Sequence, residues 1–352
     1  MLPGAQMRRG GIGVLAVVGL VVGVALWHPA RVAVQTLLLL PALFPSAPAD
    51  PLSLVTATPT REERSYLYAS GRVEASLFHA GGSGQHGAII LLLGAGGLPR
   101  SDEAVHFAQS LARVGVVTLV PESSGMLAER LTFGEVDAVR ASLDLLRELP
   151  EVDAHRIGLV GLSASGGLSI VAAGQPDLRD RVRFVNSFGS YADATNLLMD
   201  VFSRSIDVNG EIRTWQPQPR TVEVVANALG EAGVDQADQQ AMLGGMTRAQ
   251  AQQTMAAMPP AVTRSLAQVS PAAYLGQVHA HLYLMHDVDD SFIPFTESRD
   301  LVALAPSGVV QRYTELSIFA HVTADRSVPW LTFLTDVWRL FWHVHAVLLE
   351  VL

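Results

Sequence analysis

Six short apolar runs, at residues 88–93, 116–120, 157–160, 182–185, 281–285 and 309–316, alternate with stretches that carry apolar residues at helical spacing. Val136, Val139, Leu143 and Leu146 show that spacing, and Ser101 ahead of Asp102 and Glu103 marks a helix start. A strand that is apolar along its whole length needs cover on both faces, so the alternation predicts a mostly parallel, doubly wound sheet between helices. Two earlier runs, 64–68 and 72–78, read as an antiparallel lead-in to that sheet. At 352 residues and 49% hydrophobic, the chain can hold one such domain plus an appendage.

The charge pattern removes several functions. The formal net charge is −9, and three of the few basic residues, Arg8, Arg9 and Arg31, fall at the start, so the body is more acidic still and nucleic acid is not an expected partner. Every basic side chain other than histidine is arginine. Without lysine there is no P-loop lysine, Schiff base or Ser-Lys dyad, and without cysteine there is no thiolate chemistry, disulfide or cysteine metal site.

The run at 157–160 leads directly into Gly161-Leu162-Ser163-Ala164-Ser165-Gly166-Gly167. A serine on a tight turn between a buried strand and a helix needs small residues on either side, because its own backbone is strained there and larger side chains would collide. Ser163 sits at the expected distance from the strand. Ser165 offers a second match two residues on and otherwise falls in the first helical turn. Downstream, the strand at 281–285 is followed by His286-Asp287-Val288-Asp289-Asp290-Ser291-Phe292-Ile293-Pro294, and the strand at 309–316 by Ser317-Ile318-Phe319-Ala320-His321. Asp287, Asp289 and Asp290 are candidate acids. His321 lies in a loop after the last strand, whereas His343 and His345 lie inside a terminal helical pattern.

In this order, serine then acid then histidine, the chain resembles the α/β-hydrolase superfamily, and within it the dienelactone-hydrolase-like and acyl-thioesterase-like branches. Residues 286–294 are similar to the branch pattern H-G-x-x-D-x-x-V-P, with Asp287 in place of glycine and Ile293 in place of valine. The resemblance covers residues 71–328. It implies an α/β-hydrolase fold, Ser163 as nucleophile, His321 as base and Asp290 as acid, with no cofactor. It also implies an oxyanion hole made of the backbone N–H of Ala164 and one from Gly94-Ala95-Gly96-Gly97, for which Ala95 is the choice. The expected activity is cleavage of a carboxylic ester or thioester, or transfer of the same acyl group to another acceptor.

The domain organisation follows: 1–50 a membrane anchor or signal segment, 51–63 a linker, 64–191 and 269–352 the hydrolase core, and 192–268 a helical cap insert. Met199, Met242, Met246, Met255 and Met258 of the insert either line an acyl pocket or pack the cap's own core. Residues 10–27 carry no charge and follow Arg8 and Arg9, which fits a membrane helix with the body outside the cytoplasm. Residues 32–44 are expected to lie at the lipid interface, or to be the apolar region of a cleaved signal ending near Ala47-Pro48-Ala49. The stretch 329–352, rich in tryptophan and phenylalanine, reads as the last hydrolase helix, apolar on more than one face.

Two other classes compete. His279, His281, His286, Asp287 and Asp289 could form a metal-dependent hydrolase site, since alternate residues on a strand share a face, but their spacing matches no metal motif. A membrane-anchored binding protein without turnover would use the same fold.

Overall fold

The computed structural model describes residues 27–44, 50–69, 71–94, 97, 100–130, 132–323 and 327–352. Helix α1 (His28–Leu39) runs into a 3-10 turn (Leu40–Leu43), and a short α2 (Pro51–Val55) follows. Strands β1 (Arg61–Tyr68) and β2 (Gly71–Phe78) pair antiparallel. Then strand and helix alternate: β3 (His86–Leu92), α3 (Asp102–Arg113), β4 (Val117–Ser123), α4 (Ser124–Leu127), α5 (Glu135–Glu148), β5 (Val152–Leu162), α6 (Ala164–Ala173) and β6 (Phe184–Phe188).

An insert follows, with α7 (Ala194–Ser203), a hairpin of β7 (Ser205–Val208) and β8 (Glu211–Thr214), then α8 (Pro219–Glu231), α9 (Gln236–Leu243), α10 (Arg248–Ala256) and α11 (Pro260–Val269). The chain returns through β9 (His281–Asp287), α12 (Phe295–Leu304) and β10 (Val310–Leu316), and ends in α13 (Trp330–Val351). The eight-stranded sheet has the order β1-β2-β4-β3-β5-β6-β9-β10 and is parallel from β4 to β10.

The two faces are packed as strand periodicity requires. Ile90 points to the face covered by α5, α6 and α12, where Leu143, Leu146, Ile170 and Leu301 are fully buried. Its neighbours Ile89 and Leu91 point the other way, against Leu111 of α3, Val351 of α13 and Val32 and Leu39 of α1. The insert has a third core, in which Met255 and Met258 pack with Phe202, Trp215 and Leu229.

At the amino terminus the described residues begin at Trp27. Residues 10–26 lie outside the described residues, and among the described residues no helix is long and apolar enough to cross a membrane. The segment 32–44 is α1 and its 3-10 turn, packed on the domain with Val32, Leu39 and Leu40 buried. An apolar run cannot tell lipid from a neighbouring helix, and α13 supplies the covering surface. Helix α13 does keep a second apolar face, with Trp330 68% and Trp338 61% exposed.

Candidate active site

The turn between β5 and α6 holds Ser163 at φ 56°, ψ −132°, a region that costs about 1–3 kcal/mol for a residue with a side chain. The surroundings over-determine it. Ser163 N–H donates to the Phe188 carbonyl at the end of β6 (2.7 Å), and the Ser163 carbonyl accepts from Gly166 N–H (2.9 Å). A Cβ at Gly161 would come within 2.6 Å of the Gly166 backbone, so no other residue fits there. A Cβ at Gly94 would stand 2.8 Å from Ser163 Cβ, which is how closely the turn after β3 passes beneath the serine. Ser165 is buried in the first turn of α6 and its hydroxyl donates to the Leu93 carbonyl.

The other two sequence candidates arrive from the carboxyl ends of neighbouring strands. His321 follows β10 with φ 64°, a second strained backbone in the same site. Its Nδ1 lies 2.5 Å from Asp290 Oδ2, so Nδ1 carries the proton that the carboxylate accepts. Asp290 Oδ1 accepts from the backbone N–H groups of Phe292 (2.7 Å) and Ile293 (3.1 Å). Burial alone would raise the Asp290 carboxyl. The imidazoles of His321 and His286 more than offset this and hold it well below the usual carboxylate range. His286, fully buried, accepts from the Ser298 hydroxyl at Nδ1 (2.6 Å) and donates from Nε2 to the Ile293 carbonyl (3.0 Å).

Asp287 and Asp289 do not face His321 in this way. Asp287 is buried and ties two loops together, accepting from Asp289 N–H (2.9 Å) and from Phe319 N–H (2.8 Å), two residues before His321. Asp289 is exposed. His343 sits under the sheet between Thr314 and Asn186, pushed down to about 3 by burial. The histidines of the metal alternative are dispersed: His279 pairs with Asp180, His281 with Glu350 and His286 with Ser298. Among the described residues no group of three such side chains is placed to hold a metal ion.

Ser163, Ala164 and His321 open into one cavity of about 290 Å³ between the sheet and the insert. Its apolar wall comes from Leu197, Leu198, Val224, Val225 and Leu266, and none of the five insert methionines lines it. As N1 of α6, Ala164 has a backbone N–H with no acceptor inside the helix. Ala95 lies outside the described residues; Gly94 and Gly97 of the same turn line the cavity.

Three contributors carried no sequence signal. Phe292 stacks on the His321 ring (centroids 4.7 Å apart, 17° between planes), fixing its plane. Trp215 Nε1–H donates to the Asp290 carbonyl (2.9 Å) and Thr221 to the Phe292 carbonyl (3.0 Å), so the insert is stapled to the acid loop. Both partners are more than seventy residues away in sequence, beyond the reach of any local pattern.

No family model matches this sequence, and no curated protein does. Among solved structures, 2,6-dihydroxy-pseudo-oxynicotine hydrolase is similar over 82% of this chain and 68% of its own, with TM-score 0.54 and 17% identity. Dienelactone hydrolase from Anabaena variabilis is similar over 84% and 100% (TM-score 0.50, 13% identity). Est1E from Butyrivibrio proteoclasticus is similar over 82% and 98% (TM-score 0.50, 13% identity). At such identities the likeness is one of fold: the chain has an α/β-hydrolase fold of the dienelactone-hydrolase-like kind.

Proposed function

We propose that the protein is a serine hydrolase that cleaves a carboxylic ester or thioester through an acyl-enzyme on Ser163. The observation that carries this reading is the buried Asp290–His321 pair, 2.5 Å apart, with His321 opening beside Ser163 into one largely apolar cavity. In this reading Ser163 Oγ attacks the substrate carbonyl while His321 takes its proton. Since Nδ1 is engaged by Asp290, Nε2 is the nitrogen that does so. The developing oxyanion accepts from the Ala164 N–H and from a second amide of the 94–97 turn, assigned to Ala95. Collapse expels the alcohol or thiol, protonated by His321; a water activated by the same ring then releases the acid and restores Ser163. The chemistry needs no cofactor.

The apolar cavity wall supports an apolar acyl substrate, so preference for short, water-soluble esters over longer chains would count against it. We also place the protein at a membrane, anchored by residues 10–27 with its body outside the cytoplasm. The support is the uncharged run after Arg8 and Arg9 and the exposed tryptophans of α13. Degradation of the body by protease added to intact cells is the expected result, and protection would reverse the orientation.

The test of the chemistry is labelling with a fluorophosphonate probe. Wild type and Ser165→Ala are expected to label, and Ser163→Ala to fail. A folded wild type that does not label removes the serine-hydrolase reading.

A further inference from the structure

On the opposite face of the sheet from the insert lies a second cavity, of about 270 Å³. Leu91 and Val160 form its floor, Phe107 of α3 and Val347 of α13 its sides, and Leu43 of the 3-10 turn part of its roof. Protein interiors are normally packed with few voids larger than a water molecule, so an apolar volume of this size held between three elements remote in sequence is a built feature. Its deep polar groups are satisfied among themselves: His343 Nε2 lies 2.8 Å from Asn186 Oδ1 and Nδ1 2.9 Å from Thr314 Oγ1. Its rim is polar and solvent-facing, with Glu103 and Thr323 exposed. The end near the catalytic centre is Val322, which also lines the cavity that holds Ser163 and His321.

An apolar interior with a polar rim fits an amphiphile. An apolar cavity of about 150 Å³ takes up benzene, so by proportion this one takes roughly ten carbon atoms. The carboxylate of Glu103 at the rim disfavours an anionic head.

We propose that this cavity binds one unbranched hydrocarbon chain of about ten carbons with a head that is not anionic. Where the hydrolase reading holds, on which this last clause rests, it receives the second arm of an ester whose first arm lies under the insert.

The test uses the full chain with Ser163→Ala, which binds without turnover, titrated calorimetrically with linear alcohols from 1-butanol to 1-tetradecanol. One saturable site is expected, with affinity rising with each methylene to about ten carbons and then levelling. Ala104→Phe on α3 and Val347→Phe on α13 fill the cavity from opposite walls. Each is expected to weaken 1-decanol at least tenfold while circular dichroism stays unchanged. No saturable binding, affinity that climbs with chain length without a limit, or undiminished binding by a folded filled variant overturns the proposal. Fluorophosphonate labelling of the same filled variants with Ser163 intact separates the two ideas. Lost binding with retained labelling strikes this cavity alone, and retained binding with no labelling of wild type strikes the hydrolase reading alone.

Discussion

Ser163 and Ser165 are the same residue type two positions apart, and the backbone decides between them. One holds a strained left-handed conformation facing a cavity, while the other spends its hydroxyl on the Leu93 carbonyl in a helical turn. In the sequence reading, position after the strand favours Ser163, because the elbow geometry is local. Among the acids, the sequence prefers Asp290 only through the pattern that Pro294 anchors. The role of Asp287 was not legible, since its partner, Phe319 N–H, lies 32 residues on. Asp290→Asn is expected to lower kcat for an ester by about 10⁴-fold with the fold intact, because an amide cannot both hold the His321 tautomer and stabilise its cation. Asp287→Asn is expected to act mainly on stability, losing about 1–3 kcal/mol by urea denaturation as the Phe319 N–H pairing weakens. If Asp287→Asn instead matched Asp290→Asn in kcat at unchanged stability, the acid would be misassigned.

At the scale of elements, the inner strands were legible because strands buried on both faces are nearly continuous apolar runs, whereas the edge strand β10 is only partly buried and carries Gln311, Arg312 and Glu315; each observed strand of the parallel part begins or ends within a few residues of its run. The β7–β8 hairpin was not legible, because β8 is exposed along its length and carries no burial pattern. The joint between insert and core was also hidden. There Glu297, in the first turn of α12, is buried and accepts from the backbone N–H groups of Ala192 (2.7 Å) and Asp193 (3.1 Å), where the chain enters α7. Burial, with the negative charge of Asp200 nearby, raises Glu297 from 4.5 to about 8. Between those two values the folded chain keeps a proton that the unfolded chain has lost, so this group makes stability fall as pH rises through that window and adds no further change above it. The slope is at most about 1.4 kcal/mol per pH unit from this one group. Glu297→Gln keeps an oxygen acceptor for the two N–H groups and removes the proton linkage. Denaturant midpoints measured from pH 5 to 8 are expected to decline less for the variant than for wild type. An identical decline would place the linkage elsewhere.

For the whole molecule, the lesson lies at the amino terminus. Hydropathy marks residues 32–44 as fit for an apolar environment, and both lipid and a protein core answer to that description. What distinguishes them is the rest of the chain: α13 lies along the sheet face and leaves a groove that α1 fills, with Val32, Leu39 and Leu40 turned inward while Leu37 is 61% exposed. The second cavity lies where these two helices and α3 meet over β3 and β5. Two substitutions in the same helix turn this into a measurement. Leu39→Ala removes a side chain packed in the core and is expected to cost about 2–5 kcal/mol in urea denaturation. Leu37→Ala, on the outer face, is expected to stay within about 0.5 kcal/mol. Were the segment only a lipid-facing strap or a discarded leader, both changes would be near neutral for the folded domain. A large loss at Leu39 beside none at Leu37 means that the catalytic fold includes the segment and cannot be separated from it.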